Sequence, residues 1–250
     1  MILVSGCSYT VDIYPFPVWP TLLAKKLDTE VINVASSGAG NDYIFSAILD
    51  KLVSINDSVD MVIVMWSEFQ RVDFERKSQW VAMHHLRNNS SNSPWINPIT
   101  DALIEHGIGF PRETSRKSLR TFYAFQSVME NSKIPFLQIV GTTPIPSYDE
   151  QYVEGKKVKY IAEDGMKEFI RTPYLDKIDD TKFLGWPVFN RIGGFCIDDK
   201  IDEWDSGVRD LSPKLRISAQ DSHPNKKGHE HIAKYLYEKI LLDGYKKNYS

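Results

Sequence analysis

Apolar residues along this chain fall into short uninterrupted runs, separated by stretches in which they recur every three or four positions. Residues 2–6 (Ile-Leu-Val-Ser-Gly) form the first run and read as a buried strand closed by glycine. Val31 to Ala35, Met61 to Met65 and Ile134 to Val140 are three further runs of the same kind. Between them the period lengthens. Leu22 to Leu27 suits a short helix, and Ile44, Ile48 and Leu52 share one helical face behind the turn cluster 36–42, with Asp42 as the expected N-cap. Leu119, Phe122, Phe125 and Met129 make another helical stripe. Ile232, Leu236 and Ile240 make the last, in a helix expected to begin at Lys226 behind an Asn225 cap and to stop at Gly244.

Strands that are apolar on both faces, separated by helices, suit a parallel sheet covered on both sides. The expected fold is a three-layer α/β/α sandwich with a mostly parallel sheet, one domain over residues 1–250. Two segments, at about 68–113 and 143–220, break the alternation; they are rich in turn residues and hold Trp80, Trp95, Trp186 and Trp204. Insertions of that length in a compact domain act as functional covers or small subdomains. Arg87 to Pro94 reads as a mobile loop.

Composition narrows the function. With 42% apolar and 25% charged residues, 250 residues can bury a core without staples. Two cysteines, Cys7 and Cys196, make no disulfide framework and suggest a reducing compartment. A net charge of -3 and no Lys/Arg run argue against a nucleic-acid partner. No apolar stretch reaches the roughly 18 residues of a membrane span. Val4-Ser5-Gly6-Cys7 has the outline of a lipoprotein cleavage box, but only Met1-Ile2-Leu3 precede it, so a cytoplasmic location is expected.

In parallel sheets, ligands bind beyond the carboxyl ends of the strands. Three strand ends carry polar, glycine-rich blocks: Gly6-Cys7-Ser8-Tyr9-Thr10, Asn33 through Asn41, and Trp66-Ser67-Glu68 leading to Arg71. A fourth block, Asp221-Ser222-His223-Pro224-Asn225, lies near the end. A serine needs a base within hydrogen-bond reach, and that base needs an orienting group. Ser8, His223 and Asp221 can fill those three roles. Charge developing on a substrate oxygen needs fixed donors, for which the Ser8 and Gly38 amides and the Asn41 side chain are candidates. Arg71 suits either an anionic group or, as the default, a structural pairing with Asp73 or Glu75. Cys7 reads as a buried structural thiol. His84-His85 and His229-x-His231 lack zinc-like spacing, and Ser36 to Gly40 lacks a dinucleotide or Walker pattern, so no metal and no cofactor are expected.

The order of these blocks resembles the SGNH (GDSL-like) hydrolases. That family carries Gly-Asp-Ser after the first strand, a glycine after the second, an asparagine after the third and a late Asp-x-x-His. Gly6-Cys7-Ser8, Gly38 and Asp221 with His223-Pro224-Asn225 match in order, with Cys7 where Asp is usual. The third block departs: no asparagine follows Trp66, and Asn41 is the candidate substitute. The acid also departs, standing two residues before the histidine; the position three before is Gln220. The fuller pattern is similar to a divergent branch found in bacteriophage and bacterial genomes. The resemblance implies a serine esterase that forms an acyl-enzyme on Ser8, with Glu68 and Arg71 beside the substrate. Its substrate would be a small-molecule or glycan ester, including O-acetyl groups on carbohydrate, with no nucleic acid or membrane as partner. Two other readings remain open at this point: a non-catalytic module that binds a glycan or protein, with Glu68 filling the pocket, and an acyltransferase on the same triad.

Overall fold

The first apolar run becomes strand β1 (Ile2–Gly6), buried at every residue, and the chain then alternates through α1 (Trp19–Leu27), β2 (Val31–Asn33), α2 (Asn41–Ser54) and β3 (Met61–Trp66). In this computed structural model, residues 1–55, 58–84, 95–106, 108–146, 152–153, 156–157, 159–205 and 214–242 are described. An antiparallel hairpin, β4 (Arg71–Arg76) and β5 (Gln79–His84), follows β3, and then come α3 (Ile96–Glu105), α4 (Pro111–Ser132) and β6 (Phe136–Val140). The rest of the chain adds β7 (Tyr152–Val153), β8 (Lys156–Lys157), α5 (Lys159–Arg171), β9 (Phe183–Leu184), α6 (Ile197–Trp204) and α7 (Lys226–Leu242).

Five strands form the central sheet in the order β2-β1-β3-β6-β9, parallel throughout, with Ile2 opposite both Val31 and Met61. The uniformly apolar runs predicted this, since β1, β3 and β6 are covered on both faces and buried along their whole length. Helix α1 packs on α7, while α2 packs on α4 and α4 on α5. Right-handed crossovers place these two groups on opposite faces, which gives the three layers. The connection from β1 runs outward to β2; the one from β2 returns past β1 to β3. The crossover direction therefore reverses between β1 and β3, and the crevice beyond their carboxyl ends is where such a sheet opens to a ligand. Beneath it Trp66, fully buried, packs against Phe122 and Phe125 and donates its indole N–H to Gln138 at 3.0 Å.

Several boundaries move. Helix α1 begins at Trp19, before Leu22, with Pro20 in its first turn, where a missing N–H is harmless. Asp42 does not cap α2: Gly40 holds that position, and Asp42 pairs with Lys117. The capping oxygens come from the hairpin, where Asp73 accepts the Gly40 N–H at 2.8 Å and the Tyr43 N–H at 3.0 Å. At α7 the expected cap is present, with Asn225 Oδ1 accepting the Gly228 N–H at 3.1 Å and Lys226 as first residue. Gly244 and the stretch Arg87 to Pro94 lie outside the described residues. Of the two irregular segments, 68–113 holds the hairpin, α3 and the start of α4, and 143–220 holds α5, β9 and α6. At two residues, β9 is too short for a period to reveal it.

Candidate active site

Ser8 lies two residues beyond β1 in a tight turn that the Thr10 and Val11 N–H groups close on the Cys7 carbonyl. His223 reaches it from the far end of the chain. Residues 215–217 and 223–225 run as a short antiparallel pair, in which Ile217 N–H donates to the His223 carbonyl and Asn225 N–H to that of Leu215, both at 2.9 Å. The Asn225 side chain locks the pair by donating to the Arg216 carbonyl at 2.8 Å. With its loop fixed, His223 presents Nε2 to Ser8 Oγ at 2.8 Å. Its Nδ1 lies 2.5 Å from Asp221 Oδ1, and the same oxygen accepts the His223 backbone N–H at 3.1 Å.

The two-residue spacing of acid and histidine is therefore no obstacle, because ring and backbone converge on one carboxylate oxygen. Burial works to raise the Asp221 carboxyl, but the side-chain and backbone hydrogen bonds from His223 outweigh it and hold it below its ordinary value. An anionic Asp221 keeps the proton on Nδ1 and leaves Nε2 to accept from the serine. The Tyr9 ring packs edge-on against the imidazole, 5.5 Å between centroids.

A serine, a histidine and a carboxylate stand in line at the switch point of a parallel sheet. No family model and no curated protein matches this sequence. The chain is similar to solved G-D-S-L and acetylesterase structures. One is a member of the lipolytic protein G-D-S-L family from Veillonella parvula, with 12% identity, 96% of each chain covered and a TM-score of 0.44. A carbohydrate acetylesterase family member from Sinorhizobium meliloti has 12% identity, 97% of each chain covered and a TM-score of 0.47. An acetyl xylan esterase from Butyrivibrio proteoclasticus has 12% identity over 98% of this chain and 64% of that one, with a TM-score of 0.46.

A cavity of about 230 Å³ opens beside Ser8 and His223, walled by Glu68, Arg71, Thr142 and Asp198. Ser8 itself is only 7% exposed. The Thr142 hydroxyl is buried in this wall without a partner among the described residues. Arg71 pairs with Glu68 at 3.2 Å and donates to the Ala39 carbonyl at 3.0 Å. Its partner is thus neither Asp73, which holds the start of α2, nor Glu75. Burial opposes the charge on Arg71, but Cys7 and Glu68 outweigh it and hold the guanidinium above its usual value. A larger cavity, about 400 Å³ between α4 and α5 and lined by Arg112, Lys167 and Glu168, contains no nucleophile beside a base.

The second block behaves differently from its sequence reading. Gly38 has φ +77, a backbone conformation that favours glycine, and a Cβ there would meet nothing within 4 Å. Gly40 is glycine for another reason: a Cβ would stand 2.5 Å from Asp73 Oδ2. Neither Gly38 nor Asn41 lines the cavity. The Asn41 carboxamide, expected as an oxyanion donor, is committed elsewhere. Its oxygen accepts the Ser67 N–H at 2.9 Å, and its nitrogen faces the Ser67 carbonyl at 3.4 Å and Ser118 Oγ at 3.2 Å. It staples α2 to the exit of β3. Arg71 is a charged side-chain donor that does line the cavity with Ser8.

Sequence reasoning passed over Asp198, Arg216 and Thr142. Asp198 and Arg216 lie in the long segment that showed no period. Thr142 stands two residues after β6, so the strand-end rule would have found it.

Proposed function

We propose that this chain is a serine esterase of the SGNH kind, acting on small esters through an acyl-enzyme on Ser8. The observation that carries the proposal is the unbroken line from Ser8 Oγ to His223 Nε2 at 2.8 Å and from His223 Nδ1 to Asp221 at 2.5 Å. His223 takes the Ser8 proton as Oγ attacks the ester carbonyl, and Asp221 stabilises the imidazolium that results. The tetrahedral intermediate collapses with loss of the alcohol, which leaves with the proton returned by His223. Water, activated by the same imidazole, then attacks the acyl-enzyme and releases the acid.

For the oxyanion, the Ser8 amide is the proposed backbone donor, since Ser8 lines the cavity and its N–H has no hydrogen-bond partner among the described residues. Arg71 takes the side-chain role that the missing third-block asparagine leaves open. A cavity of about 230 Å³ with polar and charged walls favours a short acyl group. Acetyl esters of carbohydrates are the substrate class that the family resemblance suggests.

The test is turnover of a short-chain p-nitrophenyl ester and labelling by a fluorophosphonate probe, with the Ser8→Ala variant as control. Activity and label that both vanish in Ser8→Ala support the reading. A wild-type protein that neither turns over nor labels sinks it and turns attention to glycan and protein binding.

A further inference from the structure

Ser8 and His223 belong to loops that share no backbone hydrogen bond among the described residues, yet their reactive atoms must hold a fixed separation. One buried cluster joins them. The Tyr9 hydroxyl, one residue after Ser8, donates to Asp198 Oδ1 at 2.7 Å and stands 3.1 Å from the Ser222 carbonyl. Arg216 donates through Nη1 to the same Asp198 oxygen at 2.9 Å and to the Ser222 carbonyl at 2.5 Å. That carbonyl belongs to the peptide bond leading into His223. Asp202 holds the other end of the guanidinium at 2.6 Å, and Thr143 holds the second Asp198 oxygen through its N–H and hydroxyl at 3.3 and 3.2 Å.

From this we infer that the Asp198–Arg216 pair is a positioning device, which ties the nucleophile loop to the base loop and sets the Ser8–His223 distance. The inference rests on the esterase reading above. The side chain of Arg216 is 3% exposed. A buried ion pair is a weak way to stabilise a fold, because desolvation offsets much of its attraction. What a planar guanidinium with several fixed donors does supply is geometry. Here Nη1 reaches the Tyr9 hydroxyl at 3.4 Å as well as the Ser222 carbonyl, and Tyr9 and Ser222 each adjoin a triad residue. Misplacing reacting groups by about 1 Å can lower a rate by about 100-fold.

The test compares Arg216→Met and Tyr9→Phe with wild type on a p-nitrophenyl ester, each rate divided by the number of serines titrated with fluorophosphonate. Tyr9→Phe keeps the ring against His223 and decides the matter if Arg216→Met fails to fold. The expected result is kcat per titrated serine lowered about 100-fold in Arg216→Met and about 5-fold in Tyr9→Phe. KM should stay unchanged, and the acid limb of the pH profile should shift in both. A purely structural role would lower only the titratable fraction and leave kcat per site and the pH profile at wild-type values; that result overturns the inference alone, provided wild type labels and Ser8→Ala does not. If wild type is inert to both reagents, the inference falls together with the esterase reading.

Discussion

Asp221 Oδ1 accepts from both the ring and the backbone of His223, although one residue separates the two in sequence. The carboxylate is 45% exposed, so water can take over part of its role when it is removed. Asp221→Asn should lower kcat by about 10²- to 10⁴-fold, toward the smaller figure, with KM little changed, because the amide favours the wrong imidazole tautomer. Steady-state kinetics read this directly; a kcat within about 2-fold of wild type would remove Asp221 from the proposed triad.

Arg71 and Asn41 should separate in their effects. Arg71→Gln is expected to lower kcat by about 100-fold through loss of an oxyanion donor. Asn41→Leu breaks a buried network joining α2, β3 and α4 and should destabilise the fold by about 1–3 kcal/mol. In that variant, kcat per titrated serine should stay near the wild-type value. The reverse pattern, with Asn41 controlling kcat and Arg71 silent, would return the oxyanion role to Asn41.

The two glycines of the second block should fail by different routes. Gly38→Ala meets open space and loses only the tolerance for positive φ, about 1 kcal/mol, which corresponds to roughly 2–4 °C in Tm. Gly40→Ala drives a Cβ toward Asp73 and stands 2.9 Å from the Arg71 Cβ, so it disturbs the α2 cap and the cavity wall together. A loss of about 1–3 kcal/mol is expected, with reduced turnover. Thermal melts and kinetics on both variants check it; equal effects would show that the close approach at Gly40 relaxes freely.

His229 should make the fold sensitive to acid. It is fully buried against Tyr14 and Phe16, with Nδ1 accepting the Trp19 N–H at 3.3 Å. Burial, and to a lesser extent His223, push its pKa down to about 4 from 6.5. The unfolded chain therefore takes up the proton first. The stability from keeping this imidazole neutral is complete above about pH 7 and is lost as pH falls from 6.5 toward 4. Each pH unit in that window is worth about 1.4 kcal/mol, or about 2 kcal/mol by pH 5. Urea denaturation at pH 7 and pH 5 should show that loss in wild type and a smaller one in His229→Asn, whose oxygen can replace Nδ1. An undiminished loss in the variant would assign the acid sensitivity to other groups.

What was legible in the sequence follows from how each feature is encoded. The strands β1, β3 and β6 are covered on both faces, so an apolar run alone reveals them. Helices α2, α4 and α7 bury one stripe each, and that stripe carries their period. That Ser8, His223 and Asp221 meet could be anticipated because strand ends and a late acid–histidine pair are local signals. Asp73 capping α2 was not, since the cap comes from 30 residues away. Asn41 misled because an amide in the right block says nothing about what already holds it. Arg216 and Asp198 were invisible because their meaning lies in partners brought together by tertiary folding.

The Ser8–His223 contact spans 215 positions of the chain. Its loop-closure entropy grows only slowly with length, but it needs both ends of the chain in place at once. Turnover by the proposed triad would consequently report on complete assembly. An intermediate holding the five-stranded sheet without α7 docked on α1 would look folded to circular dichroism and still be chemically silent. Transient undocking of α7 would part Ser8 from His223 before the sheet comes apart.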